Sequence, residues 1–254
     1  MAQRTRRAFL NSQYAYRDTL IRLVRPGMRW LDVGCGRGIF PRWMRREEFS
    51  VLPEGVLLAG IDMDFSSLVD NKTVKYRVAG DMEHAPFRSG CFDLITANMV
   101  MEHVEEPKAA LKHIHRLLKP HGLLIFHTPN YLNYQFLIAS LLPQRLKNAL
   151  ALWLEGRREE DVFPTRYRLN TVRKIRRLAR ECGFDIVSLD LINSTPVTER
   201  IPLLSWIEKL FMRISDIPPL RILRSNIIAV LRRVGRESET ADGEAIQAAA
   251  TPFA

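Results

Sequence analysis

The sequence predicts an α/β fold with a doubly wound, mostly parallel sheet, and three observations carry that prediction. An apolar run, Trp30-Leu31 and Val33, leads straight into the glycines Gly34, Gly36 and Gly38. Such a run suits a buried strand, and the glycines suit a tight turn that opens a helix. Further apolar runs at 56–61, 74–79, 92–97, 122–127, 185–191 and 226–231 follow, several separated by segments of helical period. Asp62, Asn98 and Asn130 stand just past three of these runs, at the sheet edge where doubly wound folds place ligands. A chain of 254 residues with 46% hydrophobic content is enough for one such domain with insertions.

The elements follow in order. Leu10, Tyr14, Leu20, Leu23 and Val24 give residues 9–24 a helical spacing, and Pro26-Gly27 ends that helix. Tyr14 and Tyr16 are expected mainly to pack this helix. In the glycine loop the missing Cβ lets a ligand lie against the backbone, where helix-start N–H groups face it. Asp32 stands where a carboxylate meets an ammonium group. Residues 39–48 read as the first crossover helix. Asp62 ends the second strand, where an acid accepts hydrogen bonds from a ribose diol. Asp64 is a good N-cap for the next helix. Residues 74–79 form a third strand and 92–97 a fourth, continuously apolar and so buried on both faces. Pro107 opens a helix to Leu118, as proline suits a first turn. His113 and His115 lie two apart and do not share a helix face, so they form no metal pair. The fifth strand is 122–127. Residues 131–160 read as a helical insertion, Thr171 starts a helix that Gly183 stops, and 185–191 is the sixth strand. Residues 199–224 form a second, apolar and basic insertion before the last strand. The domain is therefore expected to span 1–234, with core 28–130 and 163–234, and 235–254 as a disordered tail.

The glycine spacing is G-x-G-x-G, with Ile39 where a dinucleotide fingerprint has its last glycine. Trp30–Gly38 closely resembles the first motif of the class I S-adenosylmethionine-dependent methyltransferases, here of the type 11 and ubiquinone-methyltransferase-like kind. Asp62 in GIDMD, the segment GDMEHAPF, Asn98 and the KPHG strand recur in the family's order. The resemblance implies a Rossmann-like sheet of seven strands, mostly parallel with the last antiparallel, and helical insertions after the fifth and sixth strands. It implies S-adenosylmethionine as cofactor, held by Asp32, Gly34, Cys35, Gly36 and Gly38. Asp62 takes the ribose and Met63 the adenine face. Asp81 accepts from the adenine amine, the Met82 N–H meets the ring, and Asn98 touches cofactor and substrate. Glu102-His103-Val104 resembles a signature of ubiquinone-pathway O-methyltransferases. A Glu–His pair there acts as a base or holds a divalent metal. Met99 replaces the acid that precedes the pair, so catalytic roles fall on Glu102 and His103 and no metal is expected.

Composition narrows the partners. Net charge is +10 and the pI about 9.9, favouring an acidic partner. Nucleic-acid amino-methylation is disfavoured, because Asn98-Met99-Val100-Met101 stands where those enzymes carry N/D-P-P-Y/F. None of Cys35, Cys91 and Cys182 follows a proline, as a cytosine C5 nucleophile does. A nicotinamide oxidoreductase, a protein methyltransferase and a non-catalytic binding protein remain alternatives. The cysteines show no metal or disulfide framework, which suits a cytoplasmic protein. No signal peptide or membrane-spanning run is read. The expected acceptor is a small hydroxylated molecule, glycan or lipid-linked. The insertions 131–160 and 199–224 form either a lid over it or a surface for the anionic inner face of the membrane.

Overall fold

The computed structural model describes residues 11–133, 164–194 and 202–235. The predicted insertion at 131–160 and the tail lie almost wholly outside the described residues. The sheet has seven strands in the order β3-β2-β1-β4-β5-β7-β6. They are β1 Arg29–Val33, β2 Leu57–Asp62, β3 Tyr76–Ala79, β4 Phe92–Asn98, β5 Leu118–Pro129, β6 Phe184–Ile192 and β7 Asn226–Arg233. Strands β1 to β5 run parallel, and β7 is antiparallel to both β5 and β6. The strand order reverses between β1 and β4, whose carboxyl ends therefore open a crevice.

Alternation along the strands feeds two cores, one on each face. Leu31, Val33, Ile95, Ala97, Leu124, Phe126, Ala229 and Leu231 point to one side. There they meet α3, Pro107–Leu117, and α4, Val172–Glu181, through Leu111, Ile114, Ile175 and Leu178. Trp30, Leu94, Leu123, Ile125, Ile228 and Val230 point to the other side. There they meet α1, Ser12–Leu23, through Ala15, Tyr16 and Leu20. Asn11 caps α1 by accepting from the Gln13 N–H at 3.0 Å. Asp64 caps α2, Phe65–Asp70, and Thr171 caps α4, as their residue types predict.

Two elements differ from the sequence reading. The first crossover is a 3-10 helix, Arg42–Val51, rather than a helix at 39–48. Pro41 sets its start, and its winding turns Met44, Glu48 and Val51 inward. The fifth strand begins at Leu118, four residues early, because α3 runs directly into it with His121 in the left-handed region. Helix α5, Pro202–Ile214, and a 3-10 turn, Pro218–Leu223, occupy the second insertion.

Residues 166–180 carry six exposed arginines, Arg166, Arg168, Arg173, Arg176, Arg177 and Arg180, on a solvated face. Arg166, Arg168 and Arg177 lie within ion-pair distance of Glu105, Glu106 and Glu181.

Candidate active site

A cavity of about 1000 Å3 opens at the crevice, at the large end of the range for small-molecule sites. Its wall takes Asp32 from β1, Gly34, Gly36 and Gly38 from the loop after it, Asn98 and Met99 from the end of β4, His127 from β5 and Asn226 from β7. Asn11, Ser12 and Gln13, at the start of α1, line it too.

The glycine loop is shaped by close approach. Gly34 lies in the left-handed region at φ +62°, and a Cβ there would overlap the Val100 side chain. A Cβ on Gly38 would strike the carboxylate of Glu48. Glu48 is itself buried, accepting from the Phe40 N–H at 3.2 Å and from the Thr73 hydroxyl. Asn71 staples the loop from outside, donating to the carbonyls of Cys35 and Gly36 at 3.2 and 2.9 Å. Asp62 Oδ2 accepts from the Gly36 N–H at 2.7 Å, and Oδ1 from the Asp64 N–H at 2.8 Å.

Beneath the loop lies a buried polar chain. The Trp30 indole donates to Thr96 Oγ1 at 2.7 Å, and that hydroxyl donates to Asp32 Oδ1 at 2.5 Å. Asp32 is only 2% exposed. Burial pushes its carboxyl up to about 8. The Thr96 hydrogen bond opposes the shift, while Glu48 and Asp62 add to it. A carboxylate so placed is costly to charge without a cation beside it. The site thus asks for a positive group at Asp32 and for backbone-hugging polar groups along the loop.

A second chain crosses the strand ends. Asn98 Nδ2 donates to the Ile39 carbonyl at 3.0 Å, which fixes the amide, so Oδ1 faces His127 Nδ1 at 2.9 Å. Gln13 pairs with the same amide at 2.9 and 3.2 Å. His127 therefore carries its proton on Nδ1. The ring is buried against Tyr16, with centroids 5.7 Å apart. Burial pushes its pKa down to about 3, with Asn226 opposing. Its Nε2 has no hydrogen-bond partner among the described residues.

A model of the methyltransferase-domain family matches residues 6–189. The chain belongs to that family. Its members' class I fold, dependent on S-adenosylmethionine, is the sheet described above. The ubiquinone biosynthesis O-methyltransferase of Xanthomonas campestris pv. campestris (strain B100) is 35% identical over 123 residues, 46% of this chain and 50% of that protein. The chain thus spans about half the length of the curated relatives it matches. Among solved structures, an S-adenosylmethionine-dependent methyltransferase from Mesorhizobium loti shares the fold with TM-score 0.54 and 17% identity, over 87% of this chain and 96% of that one. A geranyl diphosphate C-methyltransferase from Streptomyces coelicolor A3(2), in complex with S-adenosyl-L-homocysteine, has TM-score 0.54 and 16% identity, over 88% and 81%.

In this methyltransferase-domain protein the sequence-derived residues fall in three groups. Asp32, Gly34, Gly36, Gly38 and Asn98 line the cavity together. Asp62 ends β2 and Met63 follows it, while Asp81 and Met82 lie past the end of β3; these are the strands next outward from β1. Met63 is exposed, and Asp81 caps a short turn by accepting from the Glu83 N–H at 2.9 Å. The Cys35 side chain turns away to Gly60 and Val74, and burial raises its pKa, so only its backbone faces the loop. Glu102 and His103 form the third group and are not among the residues lining the cavity. Glu102 is buried, accepting from the Thr128 hydroxyl at 3.1 Å. His103 Nδ1 sits 3.1 Å from the Pro164 carbonyl. Tyr14 packs edge-on against Trp43, and buried Tyr16 packs edge-on against Phe40. Among the described residues no group of three or more His, Cys, Asp or Glu is placed to hold a metal. Of the residues that the sequence left unassigned, Thr96 is a polar side chain within an apolar strand and Gln13, Asn71 and Asn226 stand at or beside the end of a helix or strand, whereas Glu48, inside the charged run Arg45–Glu48, carries no such signal.

Proposed function

We propose that this protein transfers the methyl group of S-adenosylmethionine to an oxygen of a small, amphipathic acceptor. The observation that carries the reading is buried Asp32 beneath a glycine loop at the open ends of β1 and β4. The residues fit the cofactor. Asp32 would hold its ammonium, the loop backbone its methionine part, and Asp62 its ribose through lone pairs left by Gly36 and Asp64. Asp81 and the Met82 N–H would meet the adenine. When bound, S-adenosylmethionine supplies an electrophilic methyl on a sulfonium, open to in-line attack. The chain's own work is alignment and exclusion of water, worth about 7–11 kcal/mol in well-oriented cases.

Similarity to O-methyltransferases of ubiquinone biosynthesis supports oxygen as the nucleophile. Glu102 and His103 are the proposed proton-handling pair. The Pro164 carbonyl favours a proton on His103 Nδ1. Release of S-adenosylhomocysteine from S-adenosylmethionine with a panel of alkylcatechols tests the reading. Calorimetry that finds no S-adenosylmethionine binding would refute it.

We further infer that the enzyme works at an anionic membrane surface. Helix α5 buries Ser205, Glu208 and Met212, with Ser215 just past its end, while Leu203 and Trp206 are 71% and 64% exposed and Ile207 and Leu210 also face out. Lys209, Arg213 and Arg221 accompany that apolar face. Apolar groups enter a headgroup boundary, and each nearby cation adds about 1 kcal/mol of attraction to an anionic leaflet. Among the described residues no helix is long and apolar enough to cross a membrane. Flotation with anionic and neutral vesicles should show salt-sensitive binding to the anionic set alone. Its absence leaves a soluble acceptor and a lid role for the insertions.

A further inference from the structure

The 3-10 helix after the glycine loop carries chemistry that methyl transfer does not use. Arg42 and Arg45 lie three residues apart, and a 3-10 helix turns once in three, so the two side chains share one face. Both line the cavity, as do Asn11 and Ser12. The acids around them are engaged by others. Arg17 holds Asp18 and Glu47 at 2.6 and 2.9 Å, Arg37 holds Asp70 at 3.4 Å, and Glu48 is bonded to Phe40 and Thr73. Among the described residues neither Arg42 nor Arg45 makes an ion pair, and Arg45 Nε is buried with no hydrogen-bond partner. A buried donor left unmade is unfavourable, and a ligand oxyanion removes that cost. Guanidinium forks match phosphate oxygens in geometry as well as charge.

We propose that Arg42 and Arg45 form an anion subsite of the cavity, and that the acceptor seats a phosphate-type group there. The occupant's identity as acceptor rests on the methyl-transfer reading. The carboxylate of the cofactor has related chemistry, so the test must separate the two sources.

Inorganic pyrophosphate is titrated calorimetrically into the full chain, with and without saturating S-adenosylhomocysteine. Pyrophosphate should bind the saturated protein and bind about tenfold or more weakly to Arg42→Gln/Arg45→Gln, since two charge-assisted contacts are lost. The affinity for S-adenosylhomocysteine should not change. The single Arg42→Gln variant, at an exposed position, should show the same direction and serves if the double variant fails to fold. No binding by the wild type, or equal binding by variant and wild type, overturns the subsite. Competition between pyrophosphate and S-adenosylhomocysteine, with the latter's affinity lost in the variants, gives the pair to the cofactor and overturns the acceptor assignment. A wild type that binds pyrophosphate through these arginines but no S-adenosylhomocysteine would count against methyl transfer and leave the anion subsite standing.

Discussion

Replacing Asp32 with asparagine separates charge from shape at the cavity floor. The folded carboxyl is pushed up to about 8 by burial, with Glu48 and Asp62 adding to the shift, whereas an unfolded aspartate titrates near 3.9. Between those values the native state keeps a proton that the unfolded state has lost. Stability must then fall as pH rises, by about 1.4 kcal/mol per unit, or about 6 kcal/mol across the whole window. Asp32→Asn has no such titration, so its stability relative to wild type should grow steadily from about pH 4 to about pH 8. An ammonium beside Asp32 reverses the preference. Binding of S-adenosylhomocysteine near pH 7 should therefore release close to one proton, and above about pH 9 none. The affinity lost in Asp32→Asn should widen over the same range, toward the roughly 1.5–3 kcal/mol of a charged hydrogen bond. Chemical denaturation across pH and calorimetry in buffers of different ionisation enthalpy read both effects. Equal pH slopes in the two proteins, with no buffer-dependent heat, would refute the argument.

Other perturbations probe neighbouring parts. Gly34→Val should weaken cofactor binding and destabilise the fold, because a Cβ there meets Val100 from a left-handed backbone; thermal melts and calorimetry check it. Asp62→Ala should cost about 1.5–3 kcal/mol of cofactor affinity, since it removes a charged acceptor and frees the Gly36 N–H; unchanged affinity in both variants removes the cofactor assignment. His103→Ala should lower turnover about a hundredfold or more with cofactor affinity intact if its imidazole takes the acceptor's proton; an unaltered turnover number leaves it as a tie to Pro164. His127 stays neutral when folded and charges when unfolded. Stability should therefore fall as pH drops from about 6.5 toward about 3, and His127→Asn should flatten that limb in denaturation curves.

Much of this protein is legible along the chain because its signals are local. The run Trp30–Val33 before three glycines marks β1 and its loop, since an apolar strand and a φ-permissive turn are properties of adjacent residues. Asp64, Pro107 and Thr171 announce their helix starts for the same reason. Short apolar runs give the strands, and family order gives the place of Asp62, Asp81 and Asn98. What only the tertiary structure decided depends on pairs far apart in sequence. Asp32 holds its proton because the fold buries it, with Glu48 and Asp62 adding to the shift and the Thr96 hydroxyl opposing it. His127 is fixed in tautomer by Asn98, which Ile39 and Gln13 orient from other elements. Glu102 has partners that only the fold supplies: its carboxylate accepts from the Thr128 hydroxyl and its carbonyl from the N–H groups of Arg166 and Tyr167. Composition records that a side chain can ionise or donate; burial and the partner brought across the sheet decide whether it does.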